Sequence, residues 1–214
     1  MSAIFVSYKY KDNKVQYLVG TGYTTARDYV NVVMNILRST HQIYVGEKDD
    51  EDSDLSYLAE STIEAKLKER IKDSSVTIVL ISKGMRETYE KDKNQWIPHE
   101  VSYSLRDLPE NRRSALIYVV IPDEQGSYSY FEERNNGWWH DDYIYTGNRL
   151  FEILERNLNN KKDSFSISKC NYYSDENYAV LVKWDFFKTY PLTTIKKSLE
   201  HRDNVDDYNI KVNL

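Results

Sequence analysis

Val76-Thr77-Ile78-Val79-Leu80-Ile81-Ser82 is the stretch that decides the fold. Its first six residues are β-branched or leucine, with no polar residue at every second place. That is the pattern of a central strand covered on both faces rather than one with a wet side. Shorter apolar runs surround it. Ile4-Phe5-Val6-Ser7-Tyr8 opens the chain, Ile43-Tyr44-Val45 follows, Leu116 to Ile121 is stopped by Pro122-Asp123, and Tyr178 to Trp184 comes last. Between these strands the apolar period changes to that of helices. Thr25 and Asp28 form a capping pair ahead of Val32, Val33, Ile36 and Leu37, which predicts a helix to about Arg38. Ser61 and Glu64 form a second capping box ahead of the stripe Ile63, Leu67 and Ile71. Ile97, Val101 and Leu105 share a third helical face, with Pro98 in the first turn, where its missing N–H costs nothing. Leu192 to Glu200 is a last helix, followed by a polar tail. Strand and helix alternate, so the expectation is an α/β domain with a parallel sheet and helices on both faces.

One stretch breaks the rhythm. Residues 124–175 carry Trp138-Trp139-His140, several tyrosines and one plausible helix at Leu150 to Leu158, and read as an insertion before the last strand of a single domain spanning 1–214. With 214 residues the chain is long enough to bury a full core. No apolar run approaches the length of a membrane span, and the opening Met1-Ser2-Ala3 lacks the basic and apolar regions of a secretory signal, so a soluble cytoplasmic protein is expected. A lone Cys170 cannot form an internal disulfide and suits a buried, inert thiol. A net charge of −5 argues against a broad surface that tracks nucleic-acid phosphates. Nineteen tyrosines supply flat rings for packing or for stacking on a ligand.

In an open parallel sheet, ligands bind beyond the carboxyl ends of the strands. That rule gathers Ser7, Tyr8 and Lys9 after the first strand, Glu47 after the second, Ser82 after the third and Glu100 in the helix that follows. The usual phosphate loops are missing: Gly20-Thr21-Gly22 lacks a third glycine, and there is no glycine-rich loop ending in Gly-Lys-Ser or Gly-Lys-Thr. His41, His99, His140 and His201 are scattered without a metal-ligand spacing, and no serine sits in a nucleophile elbow. No metal is expected. The acidic run from Glu47 to Asp54 reads as a solvated loop.

The opening Ile4-Phe5-Val6-Ser7-Tyr8, the strand end Leu80-Ile81-Ser82 and the segment Trp96-Ile97-Pro98-His99-Glu100-Val101 together resemble the TIR domain family in its bacterial form. The ending Tyr190 to Tyr208, before Asn209-Ile210, is similar to TIR-like proteins of anti-phage systems of the Thoeris type. The resemblance implies a flavodoxin-like, doubly wound, mainly parallel five-stranded sheet. It also implies that NAD is the substrate, and that Glu100 is catalytic as the match to the glutamate four residues after the tryptophan in that family's segment. A product derived from ADP-ribose, hydrolysed, cyclic or conjugated, would reach a separate nucleotide-sensing effector. A phage-derived activator and a homo-oligomer are further partners of this reading.

One carboxylate suffices chemically. Nicotinamide in NAD is already a cationic leaving group on the ribose, so breaking that bond needs no general acid and leaves an oxocarbenium-like sugar. The site must supply negative charge and a grip on the ribose hydroxyls. Placing Glu100 in the first turn of its helix would favour the ionised form. Each residue also has an ordinary role. Acids stabilise first turns on their own by under about 1 kcal/mol, Trp96 suits packing at the helix entry better than substrate contact, and Ser7, Tyr8, Lys9 and Lys11 equally fit a turn, a half-buried ring and solvated lysines. Two other functions stay open: a TIR module that signals only by assembly, and a nucleotide binder of receiver type. Against the latter, Ser7-Tyr8 stands where a receiver needs paired acids for magnesium.

Overall fold

The structure is a computed structural model that describes residues 2–45, 59–107, 112–136, 141–145, 150–164 and 171–214. Glu47 and the acidic run behind it, Trp138, Trp139, His140 and Cys170 lie outside the described residues. The strands are β1 (Ala3–Ser7), β2 (Ile43–Tyr44), β3 (Val76–Ile81), β4 (Ala115–Val120), β5 (Glu132–Asn136), β6 (Asp141–Tyr145) and β7 (Val180–Lys183). The helices are α1 (Ala26–Ser39), α2 (Glu60–Ile71), α3 (Trp96–Leu105), α4 (Glu152–Arg156), α5 (Trp184–Thr189) and α6 (Pro191–Asp203). Five strands form one all-parallel sheet in the order β2-β1-β3-β4-β7, with Ser7 in register with Val79 and Ile81 with Val120. Among the described residues no helix is long and apolar enough to cross a membrane.

The period-2 alternation of strand side chains sorts the core into two layers. On one face Ile4, Val6, Ile78 and Leu80 pack with Tyr29, Val30 and Val33 of α1, Trp184 and Phe187 of α5 and Ile195 of α6. On the other, Val79, Ile81, Tyr118 and Val120 pack with Ile97, Val101 and Leu105 of α3 and Ile153 and Leu154 of α4. Every residue of β3 and β4 is buried. The two-sided burial expected of the stretch at Val76 is therefore met by helices on both faces, as in a doubly wound sheet.

Helix α1 starts as its sequence predicts, with the Asp28 carboxylate accepting the Thr25 N–H at 2.8 Å. Helix α2 does not. It begins at Glu60 with Ala59 as its extended N-cap residue, so Ser61 already lies inside the first turn and cannot cap it. The stretch 124–175 contains the antiparallel hairpin β5–β6, which the sequence reading did not anticipate, and a helix shorter than the predicted Leu150–Leu158. It also contributes Phe131, Leu150 and Phe151 to the α3-side core, each worth about 1.5–3 kcal/mol of burial. A helix also follows β7 directly: Trp184, read as the end of the strand, begins α5.

The polar tail is docked rather than loose. Asn157, fully buried, donates from Nδ2 to the carbonyls of Ile153 and Lys211, each at 2.8 Å, and accepts the Lys211 N–H at 3.0 Å. Ser102 on α3 donates to the Val212 carbonyl at 2.6 Å. With α2, α4 and this tail around it, α3 is buried on nearly every side. Replacing Asn157 by alanine leaves buried backbone groups unpaired and is expected to lower stability by about 1–3 kcal/mol. Denaturant unfolding measures that loss, and faster amide exchange at Lys211 shows that the tail has come away.

Candidate active site

The order β2-β1-β3 fixes where a crevice forms. From β1 the chain moves through α1 to β2 on one side, then returns past β1 to β3 and continues to β4 on the other. The crossovers diverge between β1 and β3, the switch point at which open α/β sheets bind ligands. Ser7 ends β1 there and Ser82 follows β3.

Alternation puts Ser7 on the α3 side of the sheet, opposite Val6. Its hydroxyl donates to the Glu100 carboxylate, Oγ to Oε2, at 2.7 Å. Ser7 is 1% exposed and Glu100 6%. The structure thus joins the end of the first strand to the predicted catalytic carboxylate, across 93 residues of sequence. One expectation is corrected. α3 starts at Trp96, which makes Glu100 its fifth residue and puts it beyond the first turn. Dipole stabilisation falls off within that turn, and a hydrogen bond from the Ser7 hydroxyl supports the carboxylate at this position.

The remaining predicted residues are placed as follows. Ser82 is fully buried, and its hydroxyl has no hydrogen-bond partner among the described residues. Tyr8 is half-buried, and its hydroxyl accepts from Arg27 Nη1 at 2.9 Å. Burial pushes its phenol above the usual range, the Arg27 charge opposes this, and Tyr44, Tyr10 and Glu100 add to the rise. Tyr8 therefore stays a neutral hydroxyl within electrostatic reach of Glu100. Lys9 pairs with Glu87 at 2.7 Å. Trp96 is half-buried, with the Lys66 ammonium of α2 5.7 Å from its ring centroid, which fixes the helix entry against α2. His99 is turned to the Lys93 carbonyl, 2.7 Å from Nε2.

Three features escaped the sequence reading. Arg27, in the first turn of α1, brings a guanidinium to the β1 end. Asp12, 6% exposed, accepts the Gly84 N–H at 2.9 Å and so ties the loop after β1 to the loop after β3. Tyr130 places its hydroxyl 2.7 Å from the carbonyl oxygens of both Ile81 and Ile121, bridging the exits of β3 and β4. None has a diagnostic spacing, because each acts between segments distant in sequence. Among the described residues, no group of three or more His, Cys, Asp or Glu side chains is gathered as a metal site.

A sequence model of the family described as Thoeris protein ThsB, TIR-like domain, matches residues 5–126. The chain belongs to that family. The match covers the switch-point crevice, with Ser7, Ser82, Trp96 and Glu100 inside it, and stops where the stretch 124–175 begins. Membership places this TIR-like domain with the Thoeris type of anti-phage defence. No solved structure matches the chain.

The Asp12–Gly84 tie allows a test of how the crevice is held. A Cβ at residue 84 would lie 2.3 Å from Asp12 Oδ1, so Gly84→Ala must displace the Asp12 carboxylate that ties the two loops. It is expected to destabilise the protein by about 1–3 kcal/mol, the usual cost of overpacking. Thermal unfolding reads this directly, whereas a change within experimental error would mean that Asp12 moves freely.

Proposed function

We propose that this TIR-like domain cleaves the bond between nicotinamide and ribose in NAD and releases a signalling nucleotide derived from ADP-ribose. The observation that carries the reading is the buried Ser7–Glu100 hydrogen bond at the switch-point crevice. The short contact from the Ser7 hydroxyl orients a carboxylate whose negative charge would meet a ribose hydroxyl or the charge that develops at the anomeric carbon. Leaving nicotinamide takes the bonding electron pair and becomes neutral, so no protonating partner is required. The sugar cation then combines with water, with another hydroxyl of the same molecule, or with a second nucleophile.

The surroundings suit this substrate. The unpartnered Ser82 hydroxyl is a buried polar group that a ribose or phosphate oxygen would satisfy. Arg27 and Lys9 are the cations near the β1 exit for a pyrophosphate, and Lys9 would exchange Glu87 for it. Tyr8 and Tyr10, with ring centroids 6.3 Å apart, offer flat surfaces at the same exit. The product would act through a nucleotide-sensing effector, with a phage component as trigger and self-association as a means of control.

Glu100→Gln keeps the shape of the side chain and a carbonyl oxygen to accept the Ser7 hydroxyl, so the variant should fold. NAD turnover is expected to fall by about 10²- to 10³-fold or more, the scale of losing a transition-state electrostatic partner. Ser7→Ala should give a smaller loss, mainly in kcat, because Ser7 positions the carboxylate rather than touching the sugar. The measurement is a time course of NAD and its products by liquid chromatography and mass detection, in cells with and without phage challenge. Protection of challenged cells with NAD untouched, in wild type and Glu100→Gln alike, would overturn the enzymatic reading and leave an assembly module.

A further inference from the structure

The opposite edge of the sheet carries a second concavity. Residues 72–75 between α2 and β3, Arg112 and Arg113 ahead of β4, and Arg202 near the end of α6 line an open cavity of about 320 Å³. Among the described residues its lining includes Lys72, Arg112, Arg113 and Arg202, against a single carboxylate, Asp73. In a chain whose net charge is −5 this is a marked local reversal of sign. Cations set around one concavity repel one another unless an anion lies between them, and a concave low-dielectric wall strengthens the field they share.

Helix ends account for only part of this set. Lys72 is the C-cap residue of α2 and Arg202 lies in the last turn of α6, where a cation complements the helix dipole. Arg202 is also held by Asp203 at 2.9 Å. Arg112 and Arg113 precede β4, with Arg113 beside the C-terminal end of α3. Arg113 is anchored through Nε to the Leu105 carbonyl at 2.7 Å, and its two terminal nitrogens bond to no described residue. Lys72 and Arg112 form no ion pair among the described residues. Among the described residues, three side chains thus present donors that no partner takes up, one of them with its stem already fixed.

We infer that this rear cavity binds a small phosphorylated ligand, recognised through a diphosphate group. Guanidinium forks match phosphate oxygens in pairs, and more than one arginine at a site favours two adjacent phosphoryl groups over one. The volume lies at the lower end for small-ligand sites, enough for a diphosphate with at most a modest attached group. The crevice with Glu100 lies at the other end of the strands, so this assignment stands apart from NAD cleavage. It would give the domain a ligand input separate from its crevice.

Isothermal calorimetry with pyrophosphate as probe tests it, on wild-type protein, on Lys72→Ala/Arg112→Ala and on Glu100→Gln. Both exchanged residues are exposed, so the double variant should fold, and circular dichroism checks that it does. Wild type and Glu100→Gln are expected to bind alike, the double variant at least tenfold more weakly, and orthophosphate more weakly than pyrophosphate. A second arm asks whether ADP binds in a manner sensitive to the same pair and is displaced by pyrophosphate. If so, a nucleoside on the diphosphate is accepted. If ADP does not bind there while pyrophosphate does, the free diphosphate is the recognised form. No pyrophosphate binding to the wild type, or binding unchanged in the double variant, overturns the proposal.

Discussion

Burial of β3 on all sides is the constraint from which the rest of the structure follows. Its edges are hydrogen-bonded to β1 and β4, and both its faces lie beneath helices. A strand without a wet face forces its connections to cover the sheet on both sides, and right-handed crossovers then leave α1 on one face and α3 on the other. The divergence of those crossovers opens the crevice between β1 and β3. Strand pleating does the rest: Val6 and Ser7 must point to opposite faces, so the polar residue meets α3 while its neighbour enters the core.

The crevice is therefore built from few polar interactions on a heavily apolar frame. Asp12 with Gly84 and Tyr130 with the β3 and β4 carbonyls fix the strand exits relative to one another. Glu132, 7% exposed, pairs with Lys183 at the end of β7 and accepts from Tyr172, both at 2.5 Å. The Lys183 ammonium also lies about 5 Å from the ring centroids of Tyr128 and Tyr172. This pair, with Glu132 buried and Lys183 half-buried, clamps part of the stretch 124–175 onto the carboxyl edge of the sheet. A charge pair so placed is retained by its partners, since removing one would strand the other in an apolar setting.

Much of this architecture was legible in the sequence, and the reasons differ by residue. β3 and β4 announce themselves by unbroken apolar runs, and the start of α1 by Thr25 and Asp28. The approach of Ser7 and Glu100 to one edge follows from topology alone, once the strand order is known. What stayed hidden relies on other information. β5 and β6 have the sequences Glu-Glu-Arg-Asn-Asn and Asp-Asp-Tyr-Ile-Tyr, in which no apolar alternation marks a strand. Trp184 reads as the end of a strand until packing makes it, with Asp185-Phe186-Phe187, the start of a helix. The support of Glu100 is hidden because it depends on where α3 begins, and a shift of a few residues moves a carboxylate out of the first turn.

The docked tail has a consequence for how the domain comes into being. Ser102 and Val212 are 110 residues apart, and their hydrogen bond helps to close the last open side of the helix that carries Glu100. At a synthesis rate of about 5–20 residues per second, that helix waits on the order of 5–20 s for its final covering. Until then a chain leaving the ribosome holds its carboxylate on an element with one flank in water. The domain thus has a built-in order of events, in which the helix that carries Glu100 is made midway along the chain and is among the last to be sealed.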